Sequence, residues 1–66
     1  MNLNKLKGKM RECNLTQTEV AEELSLSLAS FKNKLAGQTE FKASEIIQLG
    51  EILKMSDDEK IEIFLS

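Results

Sequence analysis

The sequence predicts an all-α domain of five short helices, and three observations carry that prediction. Apolar residues recur at helical spacing along the chain, and no stretch alternates with period two for long enough to suggest a sheet. Two motifs, Thr16-Gln17-Thr18-Glu19 and Ser56-Asp57-Asp58-Glu59, have the T/S-x-x-E form of a capping box, which opens a helix. Proline is absent and glycine is rare, so little interrupts a helix once it has begun.

The first helix is expected from about Leu3 to Glu12. Leu3, Leu6 and Met10 form its apolar stripe, and Asn14 is its stop, since asparagine tolerates a left-handed backbone. The second opens at the Thr16 cap, with Leu15 and Val20 placed to staple its first turn, and ends near Leu24. Ser25-Leu26-Ser27 is a break. Ser27 caps a third helix whose buried stripe is Phe31 and Leu35, and Gly37 closes it. A fourth helix is expected from about Ala43 to Leu53, with Phe41 packing just outside its start and Ile46, Ile47, Leu49, Ile52 and Leu53 as its apolar residues. The fifth opens at Ser56 and runs to the chain end.

Composition narrows the classes of function. At 66 residues the chain makes one domain, residues 1–66. A domain of this size is marginal without a disulfide, a metal, tight packing or a partner chain. Cys13 is the single cysteine and histidine is absent, so neither an intrachain disulfide nor a zinc site is possible. Cys13 reads as a small, buried or half-buried side chain. No catalytic constellation, metal site or cofactor-binding loop appears, and the chain is not expected to be an enzyme. The run Asp57-Asp58-Glu59 is explained by helix capping. No apolar stretch is long enough for a membrane span and no leader is visible, so a cytoplasmic location is expected.

The net charge of −2 conceals a polarity. Residues 1–38 carry six basic and four acidic side chains, a net of +2, whereas residues 39–66 carry three and seven, a net of −4. A footprint on DNA needs a local basic face and not a basic total. Lys5, Lys7, Lys9 and Arg11 read first as a solvated helix face, with phosphate contact by one or two of them as the alternative.

Two short helices joined by about three residues make a helix-turn-helix pattern, here Gln17 to Ala36. Ala21 is small where the two helices must cross, Leu24 ends the first, Leu26 fills the turn and Phe31 anchors the second. The stretch Leu15 to Gly37, LTQTEVAEELSLSLASFKNKLAG, resembles the lambda-repressor-like (Cro-type) helix-turn-helix family of phage and bacterial regulators. The form FKNKLAG, followed by Phe41 and SEIIQL, is similar to the short phage-encoded branch. Three positions depart from the family pattern. Ser25 stands where glycine is common, which calls for a turn that accepts a Cβ. Lys34 stands where many relatives bury an aliphatic residue, and no Arg or Gln occupies the tip of the third helix.

The resemblance implies a compact five-helix lambda-repressor-like fold and a sequence-specific transcriptional regulator, a repressor or Cro-like protein of phage or prophage type. Its partner would be a double-stranded DNA operator, read in the major groove by the third helix. Carried over by position, Gln17 and Thr18 would contact phosphate at the start of the second helix. Ser27, Leu28 and Ala29 would face the groove, with apolar contact to thymine methyls from Leu28 and Ala29. Asn33 is suited to adenine, and Ser27, Ser30, Lys32, Lys34 and Gln38 to phosphates. The alternative is a protein-interaction module on the same fold, such as an antirepressor binding another regulator through Leu28 and Ala29.

The C-terminal cluster Ile61, Ile63, Phe64 and Leu65 has one apolar residue too many for a single stripe. If Ile61, Phe64 and Leu65 are buried, Ile63 is left outside, and the cluster is expected to be the contact of a homodimer, with core plus one stray residue as the alternative.

Overall fold

The computed structural model describes residues 1–65; Ser66 lies outside the described residues. It is an all-α fold of five helices, α1 (Leu3–Glu12), α2 (Gln17–Glu23), α3 (Leu28–Leu35), α4 (Ala43–Ile52) and α5 (Asp57–Phe64). They occupy a volume of 28 × 23 × 20 Å. Among the described residues no helix is long and apolar enough to cross a membrane. The expected boundaries hold within a residue or so, except that α5 stops at Phe64.

Local chemistry starts each helix. Thr16 Oγ1 accepts from the Glu19 N–H at 3.1 Å, and Glu19 Oε1 accepts from the Thr16 N–H at 3.0 Å, completing the expected capping box. Ser56 and Glu59 repeat it for α5. Ser27 caps α3 by accepting from the Ser30 N–H at 3.1 Å. Asn2, a cap with no box motif to mark it, caps α1 by accepting from the Lys5 N–H at 3.0 Å. Lys42 precedes α4 and offers no side-chain acceptor, so α4 has half a box: Glu45 Oε1 accepts from the Lys42 N–H at 2.8 Å.

Local chemistry also stops them. α1 to α4 each end on a residue of positive φ: Asn14 at 57°, Ser25 at 58°, Gly37 at 82° and Lys54 at 50°. In each case the next residue's N–H reaches back five residues, as in Leu15 to Met10 O at 3.0 Å and Leu26 to Ala21 O at 2.9 Å. Each is a Schellman motif. Asn14 and Gly37 are the stops expected. Ser25 keeps the left-handed turn that glycine usually supplies, against the expectation of a turn adapted to its Cβ, at a cost of about 1 kcal/mol.

Packing of α2 on α3, of α2 on α4 and of α5 on α1 encloses one core. Leu6, Val20, Phe31, Leu49, Leu53 and Ile63 are wholly buried at its centre. Phe41 meets the Phe31 ring edge-on at a centroid distance of 6.1 Å, which fixes the 36–42 connection against α3. Cys13 is half-buried, and its Sγ–H donates to Leu53 O at 3.4 Å.

Two further sequence expectations fail, each over which side of a helix turns inward. Lys34, expected on the surface as a phosphate contact, is buried with Phe31 and Leu35. Its Nζ donates to Glu45 Oε1 at 2.8 Å and to Glu40 O at 3.1 Å, and lies 5.8 Å from the centre of the Phe41 ring. The side chain therefore takes a buried position and brings its own counter-charge, Glu45. The second failure is Ile63, expected outside but only 2% exposed. α5 turns Glu59, Glu62 and Ile63 toward α1. Lys9 pairs with Glu59 at 2.7 Å, Lys5 pairs with Glu62, and the Asn2 N–H donates to Ile63 O at 2.7 Å. Ile61 and Leu65, expected inside, are 54% and 78% exposed, and Phe64 is half-buried.

Candidate nucleic-acid interface

α3 is anchored along one side by Phe31, Lys34 and Leu35. At 100° per residue this burial turns Ala29, Lys32, Asn33 and Ala36 outward as one stripe, and all four are exposed. Ser27 and Ser30 are exposed at the N-terminal end, with the Ser27 hydroxyl engaged as the cap. Leu28 is half-buried and Ala29 exposed, so the expected apolar tip is only partly open to solvent. Gln38 is exposed just past the helix, its N–H bonded to Asn33 O at 3.0 Å.

Six of the ten residues proposed for DNA thus gather on or beside the outer side of α3: Ser27, Ala29, Ser30, Lys32, Asn33 and Gln38. Lys34 does not join them. Among the described residues Lys32 has no carboxylate partner, so its ammonium is available to an anion. Asn33 presents a primary amide, which offers one acceptor and two donors in the plane that an adenine edge requires.

Gln17 and Thr18 form the first turn of α2, Gln17 half-buried and Thr18 exposed. Gln17 lines an open cleft together with Lys7 and Arg11 of α1 and Thr16. The helical repeat divides the basic residues of α1 between two neighbours. Lys5 and Lys9, four apart, turn to the carboxylates of α5, whereas Lys7 and Arg11, also four apart, turn to the start of α2. Among the described residues Lys7 and Arg11 form no ion pair. Sequence reasoning treated these four as one face. Their i, i+4 pairing, set against the acids at 59 and 62, was the signal that could have divided them.

Electrostatics fix the frame behind the interface. Burial works against the charged form of Glu45, but the Lys34 ammonium and the Lys42 N–H more than offset it and hold its carboxyl below the usual range. The Thr16 backbone N–H does the same for Glu19. The Lys9 ammonium lowers Glu59 and is itself raised by it. Among the described residues no buried polar side-chain atom lacks a partner, and no cluster of side chains could hold a metal ion. No family model, curated protein or solved structure matches the chain.

Proposed function

We propose that the chain is a sequence-specific DNA-binding transcriptional regulator, repressor- or Cro-like and of phage or prophage type, which inserts the outer stripe of α3 into the major groove. The observation that carries this reading is the stripe itself. A rigidly backed helix presents a free amide, Asn33, beside an unpaired cation, Lys32, with small residues on either side. Ala29 and Ala36 let the helix approach the base edges, and Ala29 can contact a thymine methyl. Lys7, Arg11 and Gln17 supply a second group suited to backbone phosphates, where contacts position the protein without reading sequence. As a homodimer, the protein would present two copies of α3 to half-sites about 34 Å apart.

The test is a selection from random double-stranded DNA followed by binding measurements over a range of salt. Asn33→Ala is expected to cost about 1–3 kcal/mol at one base position and to relax the preference there. Lys32→Ala is expected to weaken binding to all sequences alike and to reduce the salt slope by about one. If the purified protein binds no DNA at low salt, the reading is overturned. A protein-interaction module remains the second reading. What favours it is an apolar groove between α4 and α5, beside the half-buried Leu28 and exposed Ala29 at the start of α3.

A further inference from the structure

Gln38 stands in the connection between α3 and α4, with an exposed side chain and a backbone held on both sides. Behind it, its own N–H donates to Asn33 O at 3.0 Å, and the N–H of Gly37, at a φ of 82°, donates to Lys34 O at 3.1 Å. Ahead of it, Glu40 O accepts from Lys34 Nζ at 3.1 Å. The ammonium is fixed in turn by Glu45 Oε1 at 2.8 Å, and Phe41 closes the connection against the Phe31 ring. Lys34 thus ties the far end of the connection back to the helix that it leaves, and Gln38 lies inside the loop so formed.

The buried charge is poorly placed to serve DNA directly. Lys34 is 9% exposed and its ammonium already faces a carboxylate, so it has no counterion to exchange for a phosphate. What it can set is the position of Gln38. Phosphate contacts fix the register of a reading helix without reading bases themselves. A neutral amide makes such a contact only through directed hydrogen bonds, with no long-range attraction to draw a mobile segment into place. A connection already ordered in the free protein meets the entropic cost on folding and not on binding. Glu40 is exposed two residues on, so a mobile connection would also bring an acid toward the phosphates.

We propose that Lys34 is a positioning residue for DNA binding: by holding Glu40 O it fixes Gln38 beside Asn33, and Gln38 sets the register in which Asn33 meets its base. The proposal rests on the DNA reading of α3, so its test has one arm without DNA and one with it.

Lys34→Met with Glu45→Leu removes the tie and strands no buried charge, so the fold is expected to survive. Without DNA, hydrogen exchange at the Gln38 amide should be at least about tenfold faster in this variant, relative to the amides of α2. With DNA, a selected operator should bind about tenfold more weakly, with the preference opposite Asn33 relaxed and the salt slope unchanged. Gln38→Ala should cost about tenfold in the wild type and less than about twofold in the Lys34→Met, Glu45→Leu background. Equal costs in the two backgrounds overturn the proposal, as does unchanged exchange at Gln38. A salt slope reduced by about one makes Lys34 itself the phosphate contact and overturns it too. Wild-type protein that binds no DNA overturns the reading of α3 and this role of Lys34 with it, even where the exchange result holds.

Discussion

The Lys34–Glu45 and Lys9–Glu59 pairs are nearly equal in length, 2.8 and 2.7 Å, and differ in what surrounds them. Lys34 and Glu45 keep 11% and 7% of their side-chain surface; Lys9 keeps a similar 12%, but its partner Glu59 keeps 35%, and the neighbouring Lys5–Glu62 pair keeps about half on both sides. Lys34 has four neighbours of distinct kinds: a carboxylate, a backbone carbonyl, an aromatic face and the apolar stripe of its own helix. The pairs on α1 have mainly each other. Length alone therefore says little about the role of an ion pair. The covered pair fastens the back of α3 to the start of α4, and the open ones set which side of α5 turns inward.

Removal of one partner separates the two kinds most sharply. Lys34→Ala leaves Glu45 covered without its cation and should cost about 3 kcal/mol, the low end for breaking a buried pair, because nothing in so small a domain lies far from solvent. That is a large share of the few kcal/mol expected for a chain of this length. Urea denaturation would measure it, and a loss below about 1 kcal/mol would put Lys34–Glu45 in the same class as the surface pairs. Replacing both partners, as Lys34→Met with Glu45→Leu, should restore most of the loss, because no buried charge is then stranded.

Acid comes next in size. Glu45, Glu19 and Glu59 are all held below their ordinary range in the folded chain. Each then contributes stability that is present above the unfolded carboxyl value of about 4.3 and is lost as pH falls through the folded value. Denaturation midpoints should fall below about pH 4.5. The Lys34→Met, Glu45→Leu protein should lose less over that window than the wild type does. An identical acid profile for the two would remove Glu45 from the explanation. Lys9 is shifted in the opposite sense, so its contribution holds below its ordinary value of 10.5 and fades as pH rises through the higher folded one.

The smallest effects belong to α1. Lys9→Ala should lower the melting temperature less than Lys34→Ala does, and Lys5→Ala less again, in the order of exposure of the carboxylate each leaves behind. Both effects should vanish near 1 M NaCl, where the screening length falls to about 3 Å. The Lys34→Ala loss should persist there. Calorimetry at two salt concentrations tests the ordering, and a Lys5 effect equal to that of Lys34 would break it.

These pairs also mark where the sequence was legible and where it was not. The five helices, the Thr16 and Ser56 boxes, the Ser27 cap and the Asn14 and Gly37 stops all depend on residues within one turn of each other, and spacing alone exposes them. So does the outer stripe of α3, which follows once Phe31 and Leu35 are taken as its buried side. Lys34 and Ile63 escape the sequence because apolar spacing within one helix does not show which of its charged residues meet a partner elsewhere. Lys34 is inside because Glu45, eleven residues away, is there to meet it. Ile63 is inside on the side of α5 that it shares with Glu59 and Glu62, which meet Lys9 and Lys5 on α1. No pattern within a single helix contains either partner.

The four left-handed helix ends carry a further consequence, for the rate of folding. Each of α1 to α4 has its stop bonds closed within six residues of chain. Each helix can therefore form and end before it meets a neighbour, without the entropy of closing a long loop. Folding is then expected on a microsecond-to-millisecond scale, and a temperature-jump relaxation slower than about a second would contradict this. The docking of α5 on α1 stands apart from that local pattern. Lys5 and Glu62 are 57 residues apart, so the docking of α5 on α1 closes nearly the whole chain. That closure is the step most exposed to chain entropy. The lysines of α1, drawn to the acids of α5 across solvent, favour an encounter that the short apolar side of α5 would make slowly by itself.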